Sequence, residues 1–394
     1  MNWENALGFE LSARTLHTVA DRIQEIVTQL PGLTSVSDVC KLADRSLARG
    51  DAAFVADLGT ALTGSFGADS GRIWQYRSVI EHLLRLLATT PGSGNVAQAL
   101  RLVSSAEIAD RKLDRCTASL LASSHPAEEL ALAFDGQRAS EELRSCLVHE
   151  LVLRGVGVME IPGIAQWVTS PNWKHHSLGW LPLALSDVEG QPDLPSYSAD
   201  GYSYSMPYGP WEDGGEAVVA GVHAPAVEET TTETVAKGIG SAVANWAEES
   251  NGRIEARVFE LAEPLEAERV PSLLPALGLE CLKGAAEESG LSVAACPPDE
   301  AWRLLFAAAS TGGAYNSGIH GAYGRLAAWQ SLASLSGAAE GDPAEAVEAR
   351  ARACAWYCFS AHTPWFEQVA WDIGLVALSP DWRRLAVLAA TDTD

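Results

Sequence analysis

The chain has 394 residues, 47% of them hydrophobic, and carries 51 acids against 27 bases for a net charge of −24. This length and apolar content exclude global disorder and allow two or three cored domains. The acid excess repels phosphate backbones, which argues against direct nucleic-acid binding.

The charge is unevenly placed. Residues 1–155 hold 19 Asp/Glu and 15 Lys/Arg, whereas residues 156–394 hold 32 and 12. Such a surface is well solvated, and it also fits a protein partner with a basic surface. The seven cysteines have no framework spacing, and the first residues lack the basic and apolar regions of a signal peptide. No apolar run approaches the roughly 18–20 residues needed to span a bilayer. The sequence therefore predicts a cytoplasmic protein with free thiols and no membrane partner.

Residues 1–155 predict a helical domain. Leu16, Val19, Ile23, Ile26 and Leu30 recur at helical spacing, and Pro31-Gly32 stops the run. Asp51 opens a helix with Phe54, Val55, Leu58 and Leu62, and Ile73 to Leu87 forms a wider stripe. Further helices fit 96–121, broken near Ser104, then 127–134 and 140–153. Residues 156–215 are punctuated by prolines and rich in Trp and Tyr, so they form a connecting segment rather than one regular element.

Residues 216–394 predict an α+β domain. Strand 216–222, a helix over 234–249 with Thr230 and Glu233 at capping-box spacing, and the alternating strand 253–261 read as a right-handed βαβ unit. Helices follow, one running from Pro343 to about Ser360. The chain ends in a hairpin of strands 373–378 and 384–391 around Ser379-Pro380-Asp381-Trp382. Leu385 to Ala390 is apolar on both faces, which places that strand inside the sheet. The expectation is thus an N-terminal all-helical domain packed on a C-terminal domain with a small mixed sheet covered by helices.

Four stretches could carry chemistry. Between Gly312 and Arg325, glycines interrupt a helical context and leave Tyr315, His320 and Arg325 as donors or acid–base groups, with Asn316 and Ser317 as ligand contacts. An ordinary helix–helix loop would explain the same residues. Trp173 and His175 in the aromatic segment could form a lid over that site. Cys354, Cys358 and His362 fall at i, i+4 and i+8 and would share one face of a continuous helix as metal ligands; two buried core thiols are the plainer reading, and no metal is assigned. Asp392, Asp394 and the terminal carboxylate could hold a cation, or be a solvated tail. No G-x-S-x-G, H-E-x-x-H, P-loop or kinase motif occurs, and no cofactor is indicated.

Ala314-Tyr315-Asn316-Ser317-Gly318, Gly324-Arg325-Leu326-Ala327-Ala328-Trp329 and the ending from Val369-Ala370-Trp371-Asp372 to Ala390-Thr391-Asp392-Thr393-Asp394 resemble a bacterial family catalogued only as a domain of unknown function. The resemblance covers roughly the last 80 residues. It implies that Tyr315, Asn316 and the terminal aspartates belong to one unit, and it carries no activity. The Ile319–Tyr323 stretch looks like an insertion between the recognisable pieces. Function then reads as an acidic interaction protein that binds through its helical domain or its acidic surface. The alternative is an enzyme or small-molecule binder with a pocket between Gly312–Arg325 and the aromatic loop 156–211.

Overall fold

Helical periodicity in the first part of the chain is realised as short capped helices. The structure, a computed structural model, describes residues 18–67, 73–105, 111–204, 216–217, 225–285, 290–314, 316–366 and 371–392. It divides into two units: Met1–Leu147 with Glu160–Trp167 and Ser196–Ser203, and Val148–Met159 with Val168–Pro195 and Tyr204–Asp394.

In the first unit, helix Val19–Gln29 opens with a capping box. The Thr18 N–H donates to the Asp21 carboxylate at 2.9 Å, and the Asp21 N–H donates to Thr18 Oγ1 at 3.2 Å. The helix closes in a 3₁₀ turn at Leu30–Gly32. Asp51 caps Ala52–Phe66 by accepting the Phe54 N–H at 3.0 Å. Leu58, Leu62, Val79, Leu83, Leu87 and Leu100 are buried, as their spacing predicts. The break expected near Ser104 is present: one helix ends there and the next begins at Arg111. A two-stranded hairpin, β1 (Ser196–Ser198) and β2 (Gly201–Ser203), is held to helix Arg111–Ser124 by a 2.9 Å hydrogen bond between the hydroxyls of Tyr197 and Ser119.

The second unit is built on a seven-stranded sheet. Its strands are β3 (Glu216–Ala217), β4 (Val227–Glu229), β5 (Arg253–Leu261), β6 (Leu291–Cys296), β7 (Ala355–Ala361), β8 (Trp371–Leu378) and β9 (Arg384–Asp392), in the order β3-β6-β7-β8-β9-β5-β4. The protein is α+β, with helices over the sheet. Every strand pair is antiparallel, however, so the expected mixed sheet and βαβ crossover are corrected. The chain leaves β4, runs through helices Glu233–Ile239 and Ala244–Glu249, and returns beside β4 in the opposite sense. The strand expected over 216–222 is described at Glu216–Ala217, where β3 pairs with β6 at the opposite edge of the sheet, and β4, the short neighbour of β5, was not expected. The first of these helices is capped by Thr232, not Thr230: its side chain accepts the Val235 N–H at 3.3 Å.

Strand β9 lies inside the sheet, between β8 and β5, and Leu385 to Ala390 are fully buried. On one face Leu385, Val387 and Ala389 join a core with Leu265, Val270, Leu273, Leu274 and Leu277. Helices Pro298–Thr311 and His320–Ser336 serve the sheet on its other side, packing on β7, β8 and β9. These two helices meet at Gly324, where an added Cβ would lie 2.7 Å from Ser310 Cβ. Among the described residues no helix is long and apolar enough to cross a membrane.

Candidate functional site

Helix His320–Ser336 gathers three of the buried charges of the second unit, Glu150, Glu189 and Arg325. At its N-terminus the Glu150 carboxylate accepts the Ala322 N–H at 3.2 Å and pairs with Arg154 at 2.7 Å. At its C-terminus the Arg384 guanidinium donates to the Leu335 and Ser334 carbonyls at 2.7 and 2.9 Å. An anion at the start and a cation at the end both oppose the helix dipole.

Arg325, fully buried in the middle of this helix, meets Glu189, which is equally buried. Its Nε donates to Glu189 Oε1 at 2.5 Å and its Nη2 to Oε2 at 2.7 Å. Nη1 donates to His149 Nδ1 at 2.7 Å and to the Pro182 carbonyl at 2.9 Å, and Nη2 also reaches the Ala184 carbonyl at 3.0 Å. All five N–H groups of the guanidinium are thereby used. Glu189 is equally occupied, because Trp329 Nε1 donates to Oε1 at 3.0 Å and the Ser186 N–H to Oε2 at 2.9 Å.

His149 completes the node. Since Nδ1 accepts from Arg325, the ring proton sits on Nε2, which donates to the Leu178 carbonyl at 2.9 Å. Burial first, and then the Arg325 charge, hold its pKa well below the ordinary 6.5. The unfolded chain binds a proton that the native imidazole refuses. Stability is therefore full above about pH 6.5 and falls as the pH drops below it. We expect the fall of unfolding free energy below pH 6 to be shallower in His149→Gln than in the wild type, by up to about 1.4 kcal/mol per pH unit. Urea titrations between pH 5 and 7 measure this difference.

A second polar node lies at the end of β9. Asn316 Nδ2 donates to Asp392 Oδ2 at 3.0 Å, and Asn316 Oδ1 accepts from the Gly313 N–H and from Asn245 Nδ2, both at 3.0 Å. Asn245 Nδ2 also reaches the Ser317 carbonyl at 3.2 Å. Gly313 lies so close that an added Cβ would be 2.0 Å from Asp392 Oδ2. The glycine loop is thus wrapped on a fully buried carboxylate. Over residues 37–394 the chain matches a family of unknown function, DUF6183. The chain belongs to that family. No curated protein and no solved structure matches it.

The DUF6183 match reaches well beyond the last 80 residues that carried the resemblance in the sequence, and it takes in nearly all of both units. Within it, Asn316 and Asp392 do meet, while Tyr315, Thr393 and Asp394 lie outside the described residues. Trp173 is brought to the Arg325 node, where it stacks on His149 with ring centroids 5.5 Å apart. His175 is exposed and donates from Nδ1 to the Pro171 carbonyl at 2.7 Å. His320 begins the helix with φ of 61°, and Ser317 is exposed on the loop before it. A groove of about 630 Å³ in this unit is lined by Pro182, Asp187, Glu345, Glu348 and Arg352, and by none of the residues named from sequence.

The proposed metal triplet is corrected. Residues 355–361 form strand β7, not the end of a helix. On a strand, positions four apart are separated by about 13 Å, so Cys354, Cys358 and His362 cannot close on one ion. Cys358 is fully buried and His362 exposed. A hydrogen bond with Cys296, together with burial, pushes the Cys358 thiol far above its ordinary range. Among the described residues no group of three or more His, Cys, Asp or Glu is placed to hold a metal.

Glu189, His149 and Asn245 were not found from the sequence. Ser186 and Glu189 do have the S-x-x-E spacing of a capping box, which is the one local signal available for Glu189. His149 sits on a helix whose residues from Leu143 to Leu153 are all buried, and Asn245 on a six-residue helix, and nothing nearby in sequence marks either.

Proposed function

We propose that the protein is an acidic interaction protein of the bacterial cytoplasm, which binds a protein partner with a basic surface and takes neither nucleic acid nor membrane as ligand. The observation that carries this reading is the charge of residues 156–394, where 32 acids face 12 bases. Many of these acids are exposed, among them Glu228, Glu233, Glu248, Glu260, Glu263, Glu266 and Glu268. Glu228 and Glu260 stand directly opposite each other across β4 and β5, an arrangement that costs stability and that Arg384, opposite Glu260 on β9, offsets in part. The small-molecule alternative has less support, since every N–H of Arg325 is already taken within the protein.

Affinity capture of the full chain from its own cells tests the proposal. At about 50 mM salt it should retain a basic protein, and at about 300 mM, where the screening length is shorter, it should release it. Capture of nothing at low salt would count against the proposal.

A further inference from the structure

The turn between β8 and β9 holds a tryptophan where glycine is the usual residue. Trp382 has φ of 64° and is 41% exposed. A left-handed backbone is unusual for a bulky side chain. The surroundings impose it. The Trp382 N–H closes the turn on the Ser379 carbonyl at 2.8 Å, and the Leu265 N–H donates to the Trp382 carbonyl at 2.9 Å. Arg384 N–H donates to Ser379 Oγ at 2.9 Å, and Ser379 Oγ donates to Asp381 Oδ1 at 2.5 Å. The backbone thus tolerates a residue that it does not favour, and the residue stays 41% exposed. An exposed indole is, however, the side chain that most often anchors a protein interface.

The charged groups around it define what could dock there. Segment 260–268, tied to the turn through Leu261, Ala262 and Leu265, presents exposed Glu260, Glu263, Glu266 and Glu268, and the turn itself adds exposed Asp381. Four arginines are present. Arg383 donates to the Ala262 carbonyl at 2.7 Å, and Arg384 is engaged with the end of helix His320–Ser336 and stands opposite Glu260 across β9 and β5. The Arg350 charge acts on Asp381, and Arg269 follows the acidic segment, so five acids meet four bases. The balance is negative. A second copy of the chain would oppose like charges, and so would an anionic lipid surface. We propose that Trp382 is the anchor for a basic segment of a partner protein, with an Arg or Lys of that segment over the indole face and its neighbours facing the surrounding carboxylates. The inference rests on the reading of the protein as a binder of basic partners, and assigns it a place.

A fluorescein-labelled oligo-arginine peptide, titrated with the full chain at low salt and followed by anisotropy, tests it. Trp382→Gly should melt no lower than the wild type, because glycine suits the turn, yet should bind the peptide roughly tenfold more weakly. Glu263→Gln/Glu266→Gln should weaken it as well. The charge-matched control Glu340→Gln/Glu345→Gln should stay within about twofold. Equal binding by Trp382→Gly and the wild type would overturn the site while leaving the wider proposal standing. No binding of the peptide by the wild type would overturn both, as would self-association or vesicle binding in its place.

Discussion

Replacing Glu189 by leucine is expected to destabilise the protein by about 3–5 kcal/mol, because it strands the Arg325 charge in a site with no solvent. The cost does not measure the strength of the pair. Taking two charges out of water opposes their attraction, and a buried pair contributes little net over an apolar substitute of similar volume. The double variant Glu189→Leu/Arg325→Met should therefore be no less stable than Glu189→Leu alone, although it loses two ions in place of one. It will not return to the wild type. The Pro182 and Ala184 carbonyls, His149 Nδ1 and Trp329 Nε1 would each lose a partner, at about 1 kcal/mol or more apiece. Urea unfolding of Glu189→Leu, Arg325→Met, the double variant and the wild type measures the coupling directly. A Glu189→Leu cost below about 1 kcal/mol would contradict the closed network.

Gly374→Ala should be nearly as damaging, at about 3 kcal/mol. An added Cβ on this β8 residue would lie 2.1 Å from the Phe359 carbonyl oxygen and 2.8 Å from its ring. Both neighbours are fixed, since Phe359 belongs to β7 and is fully buried. The sign is informative, because alanine in a strand is ordinarily preferred to glycine. A thermal melt of Gly374→Ala at or above the wild-type midpoint would show that β7 and β8 are not this close.

Much of the fold was legible where local pattern and burial agree. The alternation of Arg253 to Val258 gave β5, and the two-sided apolar run of Leu385 to Ala390 gave the interior strand β9. The helices of the first unit followed from their stripes and from Asp51 and Pro31-Gly32. Strands β6 and β7 were not legible. Trp356-Tyr357-Cys358-Phe359 is buried throughout, so it has no period of two to separate it from a buried helix, and it follows a real helix with a single residue between. Of the candidate site, Arg325 and Trp173 were singled out and do share one node, but the partner that decides their role, Glu189, lies 136 residues away from Arg325. Residue type pointed to Arg325 as a donor, and only the fold reveals that its donors are spent. Asn316 and Asp392, 76 residues apart, could be joined in advance only through the family resemblance.

Native mass spectrometry of the protein, purified gently at low salt from its own cells, tests the central proposal most directly. The expected result is a stoichiometric extra mass that belongs to a basic protein and is lost as salt is raised. A discrete small-molecule or metal mass with no protein partner would contradict it, and so would a bare chain.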